Sequence, residues 1–331
     1  MTPQQPAGPD DLWWANPQLK QQLLSDPAAV LKDRGINVPA DLPLPIVHEL
    51  VRVVSLLWVD GRIVPLDQFY IDPSDEGLLF GRGAWESTRT LGGVPWLWPL
   101  HLDRLKRTIE LLCLEVTPER LPDGNQVSEY VRALTAHDVV IRLNVTAGRP
   151  GKTGMVWMSA AALPYTPASL RLRTWRNPVA KGQAYLTLKT FQYATRLRIG
   201  QQAATEGFDT ALLLDAEGNL LEAAHANIFV RLPDGWATPT ADGGLLPGTV
   251  RQHLLTRAPI PIREQTIPQT LLGDVREAFA TNSNAGIVPV TQIDAYTFPV
   301  GSDTSALIRW LLPPPAPGSQ YRFVERGIVP R

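Results

Sequence analysis

The chain has 331 residues, 44% of them apolar, and a formal net charge of -1. That length suits two domains, each with its own core, and the balanced charge leaves no basic field for nucleic acid or acidic lipid. The single cysteine excludes a disulfide framework and a thiolate metal cage, and no apolar run approaches the ~20 residues of a membrane span.

Residues 1–16 read as disordered. They are rich in Pro, Gln and Asp and carry no apolar stretch for a signal segment, so a cytoplasmic location is expected. Pro17 to Arg34 reads as a helix ended by Gly35, and Pro45 to Leu57 as a second. Together they form an N-terminal helical extension over 1–56. The body begins near Leu57. Trp58 to Val64 reads as strand, Asp-Gly turn, strand. Leu91-Gly92-Gly93-Val94 is another turn, preceded by strand Glu86–Thr90. Leu102, Leu105, Ile109 and Leu112 have helical spacing within Leu100–Leu114, which places Cys113 on a buried helix face. Val139–Thr146 and Val156–Ala161 read as strands.

A linker near Leu163–Pro167 separates a small domain over 57–165 from a larger one over 166–312. In the larger one, Thr210–Leu214, the strand opening at Leu220 and Ala226–Arg231 are β-prone, and Gly248–Ala258 reads as a helix. Pro313 to Gly318 starts a Pro-rich tail over 313–331. Helices and strands mix without strict alternation, so the class is α+β.

Several motifs fail. His48-Glu49 lacks the second His of a zinc-protease helix, and Gly81-Arg82-Gly83 lacks the third Gly of a dinucleotide loop. The five histidines show no ligand spacing, so no metal is expected. No Gly-x-Ser-x-Gly elbow occurs.

Three segments carry chemistry. Lys189, within Leu186-Thr187-Leu188-Lys189-Thr190-Phe191-Gln192-Tyr193, is one of only 6 lysines against 25 arginines. Apolar neighbours lower a lysine's pKa, and the neutral amine attacks aldehydes. Alone, it reads first as a strand-end lysine reaching water. Glu222 closes an apolar strand before Ala223-Ala224-His225-Ala226-Asn227. Such an acid can hold a pyridinium nitrogen protonated, or can be an edge charge. Gly244-Leu245-Leu246-Pro247-Gly248-Thr249-Val250 runs into a helix, whose first N–H groups suit a phosphate or an ordinary cap.

In this order and spacing the segments resemble the class IV aminotransferases, the fold type IV pyridoxal-phosphate enzymes. That family includes branched-chain and D-amino acid aminotransferases and aminodeoxychorismate lyases. Gly77 to Arg89, His101-Leu102-Asp103-Arg104-Leu105 and Thr281 to Val290 extend the resemblance over Leu57–Leu311. It implies a two-domain fold type IV enzyme with pyridoxal phosphate on Lys189 as a Schiff base. It further implies Glu222 at the ring nitrogen, Tyr193 at the ring hydroxyl, and Arg104, Gly248, Thr249, Val250 and Ser283 around the phosphate. Asn227 stands behind them. Amino acid and keto acid substrates and a homodimer follow from the same likeness.

For the substrate carboxylate, Arg142, Arg149 and Lys152 are candidates, with Trp85, Trp96 and Trp98 as pocket walls or core aromatics. The sequence departs from the family at Arg82 (usually Asp), Ala223 (usually Gly), Val250 (often Thr) and Gly286 (often Glu). Gly286 with Thr281-Asn282-Ser283 looks like the lyase branch, whereas Tyr193 looks like the transaminase branch. The first expectation is therefore a transaminase, the alternative an aminodeoxychorismate lyase-type elimination releasing pyruvate. A third possibility is a non-catalytic binding module. Pro17 to Pro39 also resembles leader segments related to the nitrile hydratase alpha chain, and no activity follows from that.

Overall fold

The computed structural model describes residues 52–164, 166–175, 187–242 and 244–312, with 21, 22, 25, 26, 29, 30, 32 and the backbone of 321–324 and 327–330. The chain falls into two compact units, Met1–Tyr165 with Pro315–Arg331, and Thr166–Pro314. The helix expected over Pro17–Arg34 lies largely outside the described residues. So does most of the one over Pro45–Leu57, of which 52–55 are helical before the first strand begins. The tail from Pro313 to Gly318 lies outside them entirely.

The first unit is built on a six-stranded antiparallel sheet in the order β2-β1-β8-β5-β3-β4. Its strands are β1 (Leu56–Val59), β2 (Arg62–Pro65), β3 (Gly83–Leu91), β4 (Val94–Pro95), β5 (Val139–Thr146) and β8 (Val156–Ala162). A small hairpin, β6 (Gly148–Arg149) and β7 (Lys152–Thr153), links β5 to β8. The β1–β2 turn is the expected Asp-Gly: Asp60 and Gly61 have φ 44° and 90°, the two positive values that a tight hairpin turn needs.

The helices of this unit are α1 (Glu76–Phe80), α2 (Trp98–Leu111) and α3 (Gly124–Leu134). Asp123 and Gln126 form a reciprocal capping box that starts α3. Leu105 and Ile109 of α2 and Val127, Tyr130, Val131 and Leu134 of α3 pack with Ile141, Leu143, Val145 and Met158 in one core.

Cys113 departs from expectation. The helix stops at Leu111 and Cys113 is exposed at φ 49°. Leu114 N–H bonds to Ile109 O at 2.9 Å and Cys113 N–H to Glu110 O at 3.0 Å. This crossed pair closes the helix with a left-handed residue, a place usually given to Gly.

The second unit carries a nine-stranded sheet with β9 (Leu170–Thr174), β10 (Thr210–Leu214), β11 (Leu220–Ala223), β12 (Ala226–Leu232), β13 (Gly235–Thr238), β14 (Ile262–Glu264), β15 (Glu277–Asn282), β16 (Gly286–Ile293) and β17 (Tyr296–Thr297). The path β11-β10-β9-β16-β15-β12 closes on itself, because β12 also pairs with β11. The ring is filled by Leu172, Leu212, Leu220, Ile228, Ala280 and Val290, among others. Outside it, α4 (Ala194–Thr205) lays Ile199 and Ala203 on Ala211, Leu213 and Leu221. The remaining helices are α5 (Thr249–Arg257) and α6 (Ser302–Leu311). Among the described residues, no helix is long and apolar enough to cross a membrane, and no group of His, Cys, Asp and Glu is placed to hold a metal ion.

Candidate active site

Lys189 is half-buried on the loop that leads into α4, not on a strand end. Its Nζ lies 5.7 Å from the ring centre of Tyr193, the residue just before the helix. The Tyr193 hydroxyl is hydrogen-bonded to His225 Nδ1 at 2.9 Å, and the two rings are 5.6 Å apart. His225 sits in the β11–β12 turn. Burial, then the positive charges of Arg196 and Lys189, pull its imidazole below the usual range, so the ring is neutral at pH 7.

The turn holds β11 against β12 with Glu222 opposite Asn227. Glu222 is buried. Its Oε1 accepts from Arg196 Nη2 at 2.5 Å and from the Leu246 backbone N–H at 3.0 Å. Its Oε2 accepts from Asn227 Nδ2 at 3.3 Å. Arg196 also reaches the Ala224 carbonyl. Burial opposes the guanidinium charge, but the Glu222 carboxylate outweighs it and raises the Arg196 pKa.

Leu246 leads straight to the start of α5. Asn227 Nδ2 donates to the Leu246 carbonyl at 2.8 Å, which fixes the loop to the strand. Gly248 is the N-cap, in extended conformation, and no side chain caps the helix. A Cβ on Gly248 would lie 2.0 Å from Asn227 Oδ1. The glycine is there for room. Gly248→Ala should therefore destabilise the protein by about 1–3 kcal/mol, measured by urea unfolding, and should loosen whatever anion the helix start holds. Unchanged stability would show that Asn227 can turn aside. Thr249 and Val250 are buried in the first turn. Ser283 follows β15, two residues past Thr281, which pairs with Asn227. Lys189, Tyr193, Glu222 and the helix start thus form one connected cluster, with Ser283 on the neighbouring strand end.

The other expected residues belong to the first unit. Arg104, on α2, makes a two-pronged pair with Glu86 of β3, with Nε to Oε1 and Nη2 to Oε2 both at 2.7 Å. His101 Nδ1 meets Oε2 at 2.6 Å. A carboxylate only accepts, so that nitrogen carries the proton. Burial would raise the Glu86 carboxyl, but the charge and hydrogen bonds of Arg104, with His101, lower it to about 2.

Arg142 lies over the Trp85 ring at 3.9 Å and donates to Asn144. Arg149 and Lys152 meet elsewhere, on Asp72 at 3.2 and 3.7 Å. They share the rim of a cavity of about 290 Å³ with Phe69, Tyr70 and Asp72. The three clamp candidates are therefore two groups, and one already has a carboxylate partner. Arg82 pairs with Glu76 and with the carbonyls of Leu112 and Cys113, so it ties α1 to the end of α2. Trp98 is a core aromatic, its indole N–H on the Pro122 carbonyl.

A family model described as amino-transferase class IV matches residues 83–293. The chain belongs to the class IV aminotransferases. It is 29% identical, over 72% of its length and 88% of the relative's, to a putative branched-chain-amino-acid aminotransferase of Methanocaldococcus jannaschii. It is 26% identical, over 76% and 92%, to an aminodeoxychorismate lyase of Bacillus subtilis. Among solved structures it is similar to the 4-amino-4-deoxychorismate lyase of Pseudomonas aeruginosa, with TM-score 0.68, 26% identity, and coverage of 77% of this chain and 98% of that one.

Members of this family are pyridoxal-phosphate enzymes, and the expected α+β, fold type IV architecture stands. The cluster fits that cofactor. An amine, a buried acid and an uncapped helix start with its glycine occur together. One element of this class IV site was not anticipated from the sequence. Arg196, three residues after Tyr193 and hence on the same helix face, occupies Glu222.

Proposed function

We propose that the protein is a transaminase that moves an amino group between an amino acid and a 2-keto acid on pyridoxal phosphate. The observation that carries this is the clustering of Lys189, Tyr193 and His225 at the entry to α4 with Arg196 of that helix on Glu222, which Asn227 and Leu246 join to the loop before Gly248. Bound there, the cofactor supplies an aldehyde for amines and a ring that accepts electrons. Lys189 provides the amine that anchors it. Displaced by an amino acid, Lys189 becomes the base that takes the Cα proton and later returns one. Glu222 receives the ring nitrogen's hydrogen bond. Tyr193 faces the ring hydroxyl. Thr249 and Val250 would offer backbone N–H groups to the phosphate, aided by Ser283, and Arg104, whose Nε and Nη2 are held by Glu86, would add its positive charge. Arg142, Arg149, Lys152 and Trp85 are proposed to meet the substrate. A cytoplasmic homodimer is part of the same proposal.

A lyase reading has one supporting observation. Gly286 has φ 77°, and a Cβ there would lie 2.6 Å from Leu312 Cδ1. The position that is Glu in many transaminases is thus closed to a larger residue, as in the lyase-like pattern. One assay decides. The holoenzyme is given a panel of L- and D-amino acids with 2-keto acids, and separately aminodeoxychorismate. Keto-acid formation from the panel is expected. Pyruvate release with a silent panel would overturn the transaminase in favour of the lyase. Failure of the purified protein to take up pyridoxal phosphate would overturn both and leave a binding module.

A further inference from the structure

The acid expected at the ring nitrogen already has a cation on it. Arg196 is 20% exposed and Glu222 3%, so their charges meet away from water. Each carboxylate oxygen offers two acceptor positions. On Oε1 both are taken, by the Arg196 guanidinium at 2.5 Å and the Leu246 N–H at 3.0 Å. On Oε2 one is used by Asn227, and only weakly, at 3.3 Å. Among the described residues, one position remains, on Oε2.

We infer that Arg196 is a positioning residue that holds Glu222 by Oε1 and presents Oε2 alone to the cofactor's ring nitrogen, so that acid and ring never pair exclusively. This deepens the proposed function and rests on it. Three fixed donors on three different elements, α4, the loop before α5 and β12, define the carboxylate plane. The Glu222 side chain therefore cannot rotate to offer its other oxygen without breaking the strongest of these contacts.

The electrostatic consequence has a sign. A lone carboxylate beside a pyridine nitrogen favours the protonated ring. A guanidinium on the same carboxylate cancels part of that field. The ring proton is held less tightly than it would be by Glu222 alone, and the ring withdraws electrons less from the reacting carbon. The other titratable groups of the cluster are Lys189 and Tyr193, on the segment entering α4, and His225, in the β11–β12 turn. All three are unchanged in the variants below.

The test uses holoenzyme loaded with pyridoxal phosphate carrying nitrogen-15 in its ring. The nitrogen shift is followed against pH in wild type, Arg196→Gln and Arg196→Lys. In Arg196→Gln the pH at which the ring gives up its proton should rise by about one unit or more, the effect of removing a unit charge some 5–6 Å away at an intermediate dielectric. Arg196→Lys, which keeps the charge, should stay near wild type. Cofactor bound with the same midpoint in wild type and Arg196→Gln overturns this inference and leaves the proposed function standing. Wild type that binds no cofactor overturns both. A crystal structure of the wild-type holoenzyme gives a check free of variants. Arg196 retained on Oε1 with the ring nitrogen on Oε2 supports the inference, and Arg196 displaced, with Glu222 given wholly to the ring, overturns it.

Discussion

Lys189→Ala should abolish the cofactor adduct that borohydride fixes on the wild-type protein, and should lower turnover by at least about 10²–10⁴-fold, the usual contribution of one positioned acid–base group. The adduct is the decisive half, because it reports a covalent bond to one side chain and not a rate. Among the protein's six lysines the alternatives are poor. Lys152, for instance, is more than half exposed and paired with Asp72. Lys189 is half-buried and shares its neighbourhood with Arg196 and the neutral ring of His225. A small exogenous amine should restore part of the lost turnover in Lys189→Ala, since it can replace the proton carrier but not the tether. A borohydride-stable adduct that persists in Lys189→Ala would place the anchoring amine elsewhere and sink the assignment.

How much of this was legible beforehand follows the physics of each element. Hairpins read well because their turns are written in residue types. Asp60-Gly61 and Gly92-Gly93 all have positive φ, which few residues other than Gly, Asn and Asp supply at low cost. Strands Val139–Thr146 and Thr210–Leu214 read to the residue, the second as an apolar run and the first as a β-branched-rich stretch interrupted only by Arg142 and Asn144. Cys113 was misplaced because the apolar spacing of α2 continues past the point where the helix stops. The stop is a backbone bond pattern around a non-glycine left-handed residue, which leaves no mark in the sequence. Helix α3 carried its mark in Asp123 and Gln126, followed by Val127, Tyr130, Val131 and Leu134 at helical spacing, and was still missed. Helix α4 has only Ile199 and Ala203 buried, too narrow a stripe for periodicity to reveal. That gap also hid Arg196, whose relation to Tyr193 is visible only once the helix is known. Lys189, Glu222 and Gly248 could be named because each belongs to a short local pattern. Their mutual contacts run through Asn227, His225 and Arg196, residues distant in sequence that only the closed sheet brings together.

The Glu86 cluster offers the second large effect. Glu86→Ala should cost about 3–5 kcal/mol of stability, the usual result of removing one partner of a buried ion pair. Arg104 and His101 would remain in the interior without the Glu86 carboxylate, at 9% and 0% side-chain exposure. The titration of Glu86 bears on the same interaction. Its carboxyl lies near 2 in the folded protein against 4.5 as a free side chain. A depressed folded value means that ionisation stabilises the fold above pH 4.5 and that this stabilisation is lost as pH falls toward 2, about 3 kcal/mol over the window. Both effects would trace to one interaction, the fork of Arg104 on both carboxylate oxygens. Glu86→Gln separates charge from packing. It should lower stability at pH 7 but flatten the loss between pH 4.5 and 2.5, as read by urea unfolding at both pH values. If wild type and Glu86→Gln lose stability in parallel across that window, the acid sensitivity belongs to other carboxylates.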